Sequence, residues 1–89
     1  MPALRNKKAR QKLREEFYER VKEKPVTPDI AVKTFRKILG LSQEEFAKKQ
    51  GVGLLALRQV ETSKGNPTVE TLKKLLAGSG LGLTVSLDL

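Results

Sequence analysis

The sequence predicts an all-α domain: a bundle of short, capped helices, extended by one helix at the N-terminus and one short β-strand at the C-terminus. Three observations predict it. The stretch 41–67, LSQEEFAKKQGVGLLALRQVETSKGNP, reads as helix, tight turn, helix and loop. Apolar residues elsewhere recur at three- and four-residue spacing, the period of one helix face. The last nine residues switch to strict alternation, the period of a strand.

In the central stretch, Ser42 can N-cap a helix, and Glu45 three residues on completes a capping box. Phe46 and Ala47 give this helix an apolar face, and Gly51 stands where it must stop and the chain reverse. Leu54 to Glu61 makes a second helix, with Leu57 and Val60 on one side. Two short helices joined by a Gly-containing turn form a helix-turn-helix unit, whose second helix can enter a DNA groove. The same pattern fits a plain αα-hairpin inside any small helical domain. The rest of the chain must decide between them.

Composition narrows the choice. Eighty-nine residues suffice for one small domain with a modest core. Trp is absent, so Leu, Val, Ile and three Phe must build that core. No hydrophobic run approaches the roughly 20 residues of a membrane span, and the N-terminus has no apolar signal core. The expectation is a soluble cytoplasmic protein. With no His and no Cys, the familiar zinc sites and His- or Cys-based catalysis are excluded. Glu15–Glu16 and Glu44–Glu45 are adjacent pairs that point apart on a helix. No enzymatic activity and no cofactor are expected.

The net charge of +8 is uneven. Residues 1–14 hold Arg5, Lys7, Lys8, Arg10, Lys12 and Arg14 with no acid, whereas the other 75 residues hold 12 basic and 10 acidic side chains. A basic arm on a near-neutral body suggests a polyanion partner. A solvated tail that aids solubility is the plainer reading.

In chain order, residues 1–8 read as frayed. From about Ala9 to Glu23, Leu13, Phe17 and Val21 form a narrow apolar stripe. Pro25 to Pro28 is a stiff joint. Thr27, Pro28 and Asp29 then signal a helix start, with an N-cap, Pro at the first position and an acid in the first turn. That helix runs to about Leu39, with Ala31, Phe35, Ile38 and Leu39 inward and Lys33, Arg36 and Lys37 elsewhere; Gly40 closes it. After the central pair, Ser63 to Pro67 is a loop, and Thr68 caps a helix whose Leu72, Leu75 and Leu76 face inward. In LGLTVSLDL, Leu81, Leu83, Val85, Leu87 and Leu89 alternate with small or polar residues. A lone strand needs another edge. The economical partner is the same strand of a second copy about a two-fold axis; a frayed or packed tail is the alternative. The expected organisation is therefore a basic arm and amphipathic helix over 1–25, a central domain over 26–80 and a dimerisation strand over 81–89.

The segments LGLSQEEFAKKQGVGLLALRQVE and GNPTVETLKKLL resemble the lambda-repressor-like, Xre-type helix-turn-helix domains. Leu41, Gln43, Phe46, Ala47, Gly51, Val52, Leu57, Val60, Glu61, Asn66, Pro67, Thr71 and Leu72 fall in the register of that family, over about residues 28–80. The GNPT loop and the GLGLTVSL tail look most like antitoxins of HipB and HigA type. The resemblance implies a lambda-repressor-like bundle, a homodimer on operator DNA, repression of its own operon and binding of a cognate toxin. It places Ser42, Gln43, Ser63 and Lys64 on DNA phosphates, and Leu54, Leu55, Arg58, Gln59 and Thr62 on the groove-facing side of the second helix.

One departure from the family stands out. Gly53-Leu54-Leu55-Ala56 opens the second helix, where the family usually has polar base-reading side chains. Leu54 can turn partly inward, but Leu55 points out by helical geometry. A Leu offers a base only contact with a thymine methyl. Three readings follow: sequence readout is weak and moves to Arg58, Gln59 and DNA shape; the helix presents Leu55 to a protein; or Leu55 is a tolerated exposed apolar residue. The first is preferred.

Overall fold

The computed structural model of the chain describes residues 6–24 and 26–80. Five helices follow in order: α1 (Lys7–Glu23), α2 (Pro28–Leu39), α3 (Gln43–Gln50), α4 (Leu54–Glu61) and α5 (Val69–Leu75). Among the described residues there is no β-strand. The expected strand, with Leu81, Leu83, Val85, Leu87 and Leu89, lies outside the described residues.

The caps set the helix bounds. The Ser42 hydroxyl accepts from the Glu45 amide at 3.1 Å, and the Glu45 carboxylate accepts from the Ser42 amide at 2.8 Å. This is the capping box the sequence predicts. Gly40 and Gly51 end α2 and α3 in the left-handed region, at φ 71° and 69°. A side chain at either site would strain the backbone. Thr68 caps α5 through the Thr71 amide.

One cap differs from expectation. Thr27 occupies the N-cap position of α2 in extended backbone, but its side chain bonds no helix amide. Its hydroxyl engages the Asp29 carboxylate instead.

A single core joins all five helices. Phe46, Leu57, Leu75 and Val32 are its largest fully buried side chains. The Phe35 and Phe46 rings meet edge to face, 5.7 Å between centroids. Burying a Phe or Leu this completely contributes about 1.5–3 kcal/mol each. The stripe on α1 docks into the same core: Phe17 and Val21 are buried, and Leu13 packs against them half-exposed. On α2, Val32 joins the predicted Ala31, Phe35 and Ile38, while Leu39 is only half-buried.

Polar contacts lock the ends of the bundle. Gln50, the last residue of α3, donates its side-chain amide to the carbonyls of Lys74, Leu75 and Ala77 at 3.0–3.2 Å. These carbonyls lie in and just after the last turn of α5, where helix acceptors run short of intrahelical donors. The Tyr18 hydroxyl on α1 donates to the Ser79 carbonyl at 2.6 Å.

The basic segment differs from a free arm. Asn6 caps α1 through the Ala9 amide, so Lys7, Lys8, Arg10, Lys12 and Arg14 ride on a helix that starts two residues earlier than expected. Arg10 donates from Nη1 to the Leu39 carbonyl at 3.2 Å, tying that helix to the end of α2. Arg5 lies outside the described residues.

Candidate nucleic-acid interface

The outward side of α4 and the start of α3 meet at one surface. They are joined by a chain of polar contacts that begins in the core. Arg36 and Glu61 form a two-pronged ion pair: Nε donates to Oε2 at 2.7 Å and Nη2 to Oε1 at 2.9 Å. Their side chains are 4% and 2% exposed. The third guanidinium nitrogen donates to the Leu41 carbonyl at 3.1 Å, in the turn before α3. Each guanidinium nitrogen of Arg36 thus donates to the α2–α3 turn or to α4.

The chain then runs to the surface. Gln43 donates from Nε2 to Glu61 Oε1 at 3.2 Å. Its Oε1 accepts from Arg58 Nε at 3.4 Å. A buried pair therefore orients an exposed guanidinium through one amide. Sequence reading placed Arg36 away from the buried face of α2; the structure buries it. The reason is non-local: Glu61 lies 25 residues on, in line with Leu57 at the core-facing side of α4, and draws the guanidinium inward.

The other predicted DNA-facing residues sit as follows. Leu55 is 70% exposed, while Leu54 is half-buried against the core. Both match the orientations that helical geometry gave. Gln59 is exposed and lies over Gly65, close enough that a methyl group at Gly65 would stand 3.6 Å from the Gln59 Oε1. Thr62 is exposed but spends its hydroxyl proton on the Arg58 carbonyl at 2.8 Å, so only its lone pairs face outward. Lys64 extends its exposed side chain beside a cleft of about 160 Å³ shared with Gln59, Asn66 and Thr71. The capping box occupies the Ser42 and Glu45 amides, which leaves those of Gln43 and Glu44 to face an anion.

Ser63 has a second attachment that sequence reading missed. It sits in the left-handed region at φ 58°, unusual for a residue other than Gly. Asp29, at the start of α2, is held below its ordinary carboxyl value chiefly by the Thr27 hydroxyl, against desolvation that raises it. The Ser63 hydroxyl and the amides of Ile30 and Asp29 add to the lowering. Asp29 thereby ties the loop after α4 to the start of α2. A carboxyl lowered on folding adds stability above its unfolded value, and that stability is lost as pH falls through the lower folded value. Asp29→Asn is therefore expected to cost about 0.3–1 kcal/mol at neutral pH, as for an acid at a helix start. The cost should vanish in strong acid. Equal losses in urea melts at pH 7 and pH 2 would contradict the assignment.

These features define a helix-turn-helix: α3, a left-handed Gly turn and α4, with Gln43 and Arg58 joined on its outward surface. The family model described as Helix-turn-helix matches residues 32–84, more than half of the chain. The chain belongs to this helix-turn-helix family, a family of DNA-binding domains. No curated protein and no solved structure matches it. Among the described residues, no helix is long and apolar enough to cross a membrane.

Proposed function

We propose that the chain is a sequence-specific transcriptional regulator that binds operator DNA as a homodimer, and that it is the antitoxin of a toxin–antitoxin pair. In this reading it represses its own operon and binds a cognate toxin. The observation that carries the DNA reading is the Arg36–Glu61–Gln43–Arg58 chain. It fixes an exposed Arg on the outward side of α4 against the start of α3. Residues Leu54–Thr62 would lie in a major groove, with Arg58 reaching guanine or phosphate and Gln59 reaching adenine. Ser42, Gln43, Ser63 and Lys64 would meet phosphates on either side. Leu55 would touch a thymine methyl, so base readout shifts to the second half of α4.

The antitoxin reading rests on the likeness of the GNPT loop and the 81–89 segment to HipB- and HigA-type sequences. Segment 81–89 would supply the dimer contact, and 26–80 the DNA-binding domain. A second reading has a specific observation in its favour. A 70%-exposed Leu55 in the first turn of α4 also suits a protein contact. In that case the chain is chiefly a toxin-binding module with secondary DNA binding.

Selection of duplexes from a random pool separates the two. The chain should enrich a two-fold-related sequence with half-sites about one helical turn apart, and sedimentation should show two chains per duplex. Arg58→Ala should cost about 1–3 kcal/mol of binding and relax preference at one position of each half-site. No enriched sequence would sink base readout; one chain per duplex would sink the dimer.

A further inference from the structure

We propose that the first two turns of α1 form a second DNA contact, on the phosphates that flank the half-site read by α4. The inference rests on the duplex-binding reading above and extends it to a surface outside the helix-turn-helix.

The charge pattern of α1 is the starting point. Its first turn contains no acid, and Lys7, Lys8 and Arg10 crowd there. Cations at that end oppose the helix dipole, and they repel one another. At the other end Arg20 and Lys22 sit where the dipole favours them. Lys22 also pairs with Glu19 at 3.1 Å. Lys7 and Lys8 are exposed and pair with no carboxylate among the described residues. Lys12 has only a 4.0 Å contact with the exposed Glu16. The first turn of the helix thus forms with an unfavourable charge arrangement, and a polyanion is the ligand that reverses the sign of that effect.

Position selects the polyanion. Arg10 bonds the Leu39 carbonyl, at the end of α2, and Ser42 caps α3 three residues later. Three residues span at most about 11 Å. Lys7 lies one turn before Arg10, about 4.5 Å along the helix. With the reach of the Arg10 side chain, roughly 7 Å, included, the basic turn stands on the order of 30 Å or less from the phosphate end of α3. At a rise of about 3.4 Å per base pair that is at most roughly nine base pairs. The patch is near enough to follow the same duplex. Arg10 keeps this placement even though its Nε–H is buried without an acceptor.

The test uses the full chain and the selected duplex in two lengths, one trimmed to the half-sites and one extended by about nine base pairs on each side. The longer duplex should bind the unsubstituted chain more tightly and with a steeper salt dependence. Lys7→Gln with Lys8→Gln should lose that gain. With about 0.9 of log–log slope per phosphate contact, two lost contacts flatten the slope by about 1.8 per protomer. Between about 50 and 200 mM salt, each protomer with its lysines then loses about twelvefold more affinity than one without them. Base preference should not change. Removing cations from that end also relieves the dipole conflict, so the variant should melt no lower than the parent, which separates lost contact from lost fold. Lys22→Gln with Lys24→Gln should behave as the parent does. An unchanged gain and slope in the Lys7/Lys8 variant would overturn the proposal and leave the α4 reading standing. So would loss of an acidic protein partner with DNA binding intact. Failure of the parent to bind either duplex would overturn both.

Discussion

Arg36→Met alone should destabilise the domain by about 3–5 kcal/mol, and Arg36→Met with Glu61→Leu should recover most of that loss. The single change leaves a carboxylate 2% exposed with no cation beside it. Gln43 alone cannot compensate, since it offers one N–H at 3.2 Å. The double change removes both desolvation penalties and fills the space with apolar volume. Against a total of about 5–15 kcal/mol for a domain, the single variant would be near its unfolding threshold. Urea melts of the two singles and the double give the coupling directly. Additive losses would show that the pair does not act as a unit. DNA binding should behave differently. The double variant refolds the core but leaves Gln43 without its anchor, so Arg58 is released and operator affinity should stay low.

Phe46→Ala should cost about 3–5 kcal/mol. Phe46 is completely buried, and its ring lies edge-on to Phe35. With Ala47 it forms the buried face of α3. An Ala there loses the ring contact as well as the buried area. Gln43 stands one turn earlier on the same helix, so any settling of α3 into the gap shifts it from Glu61 and Arg58. The variant should therefore bind duplex more weakly than its remaining folded fraction explains. A loss below about 1 kcal/mol would mean that the core closes over the site.

Local signals were legible in the sequence. Leu54–Glu61, Pro28–Leu39 and the Ser42 box match the structure because each is set by residues within one or two turns of it. The outward Leu55 and half-inward Leu54 follow from helix geometry alone. What escaped was non-local or competitive. Arg36 looks like a surface cation until Glu61, on another helix, is brought beside it. Thr27 had the sequence of an N-cap, but a carboxylate two residues away outcompeted the helix amides for its hydroxyl. Lys7 and Lys8 read as part of a frayed arm because the apolar stripe begins only at Leu13; the Asn6 cap and the docking of Arg10 extend the helix over them. The phosphate and base roles proposed for α3, α4 and the loop after it come from family register; the chain of contacts that orients Gln43 and Arg58 was not legible in the sequence.

Tyr18 is the sole tyrosine of a chain without tryptophan. Its hydroxyl bonds the Ser79 carbonyl, Phe17 meets its ring edge-on at 5.9 Å, and the Arg14 guanidinium lies 5.7 Å from its centre. The near-ultraviolet signal of the whole protein above the phenylalanine bands thus comes from one ring at the seam between α1 and the end of α5. The unmodified molecule carries its own optical reporter of whether α1 is seated.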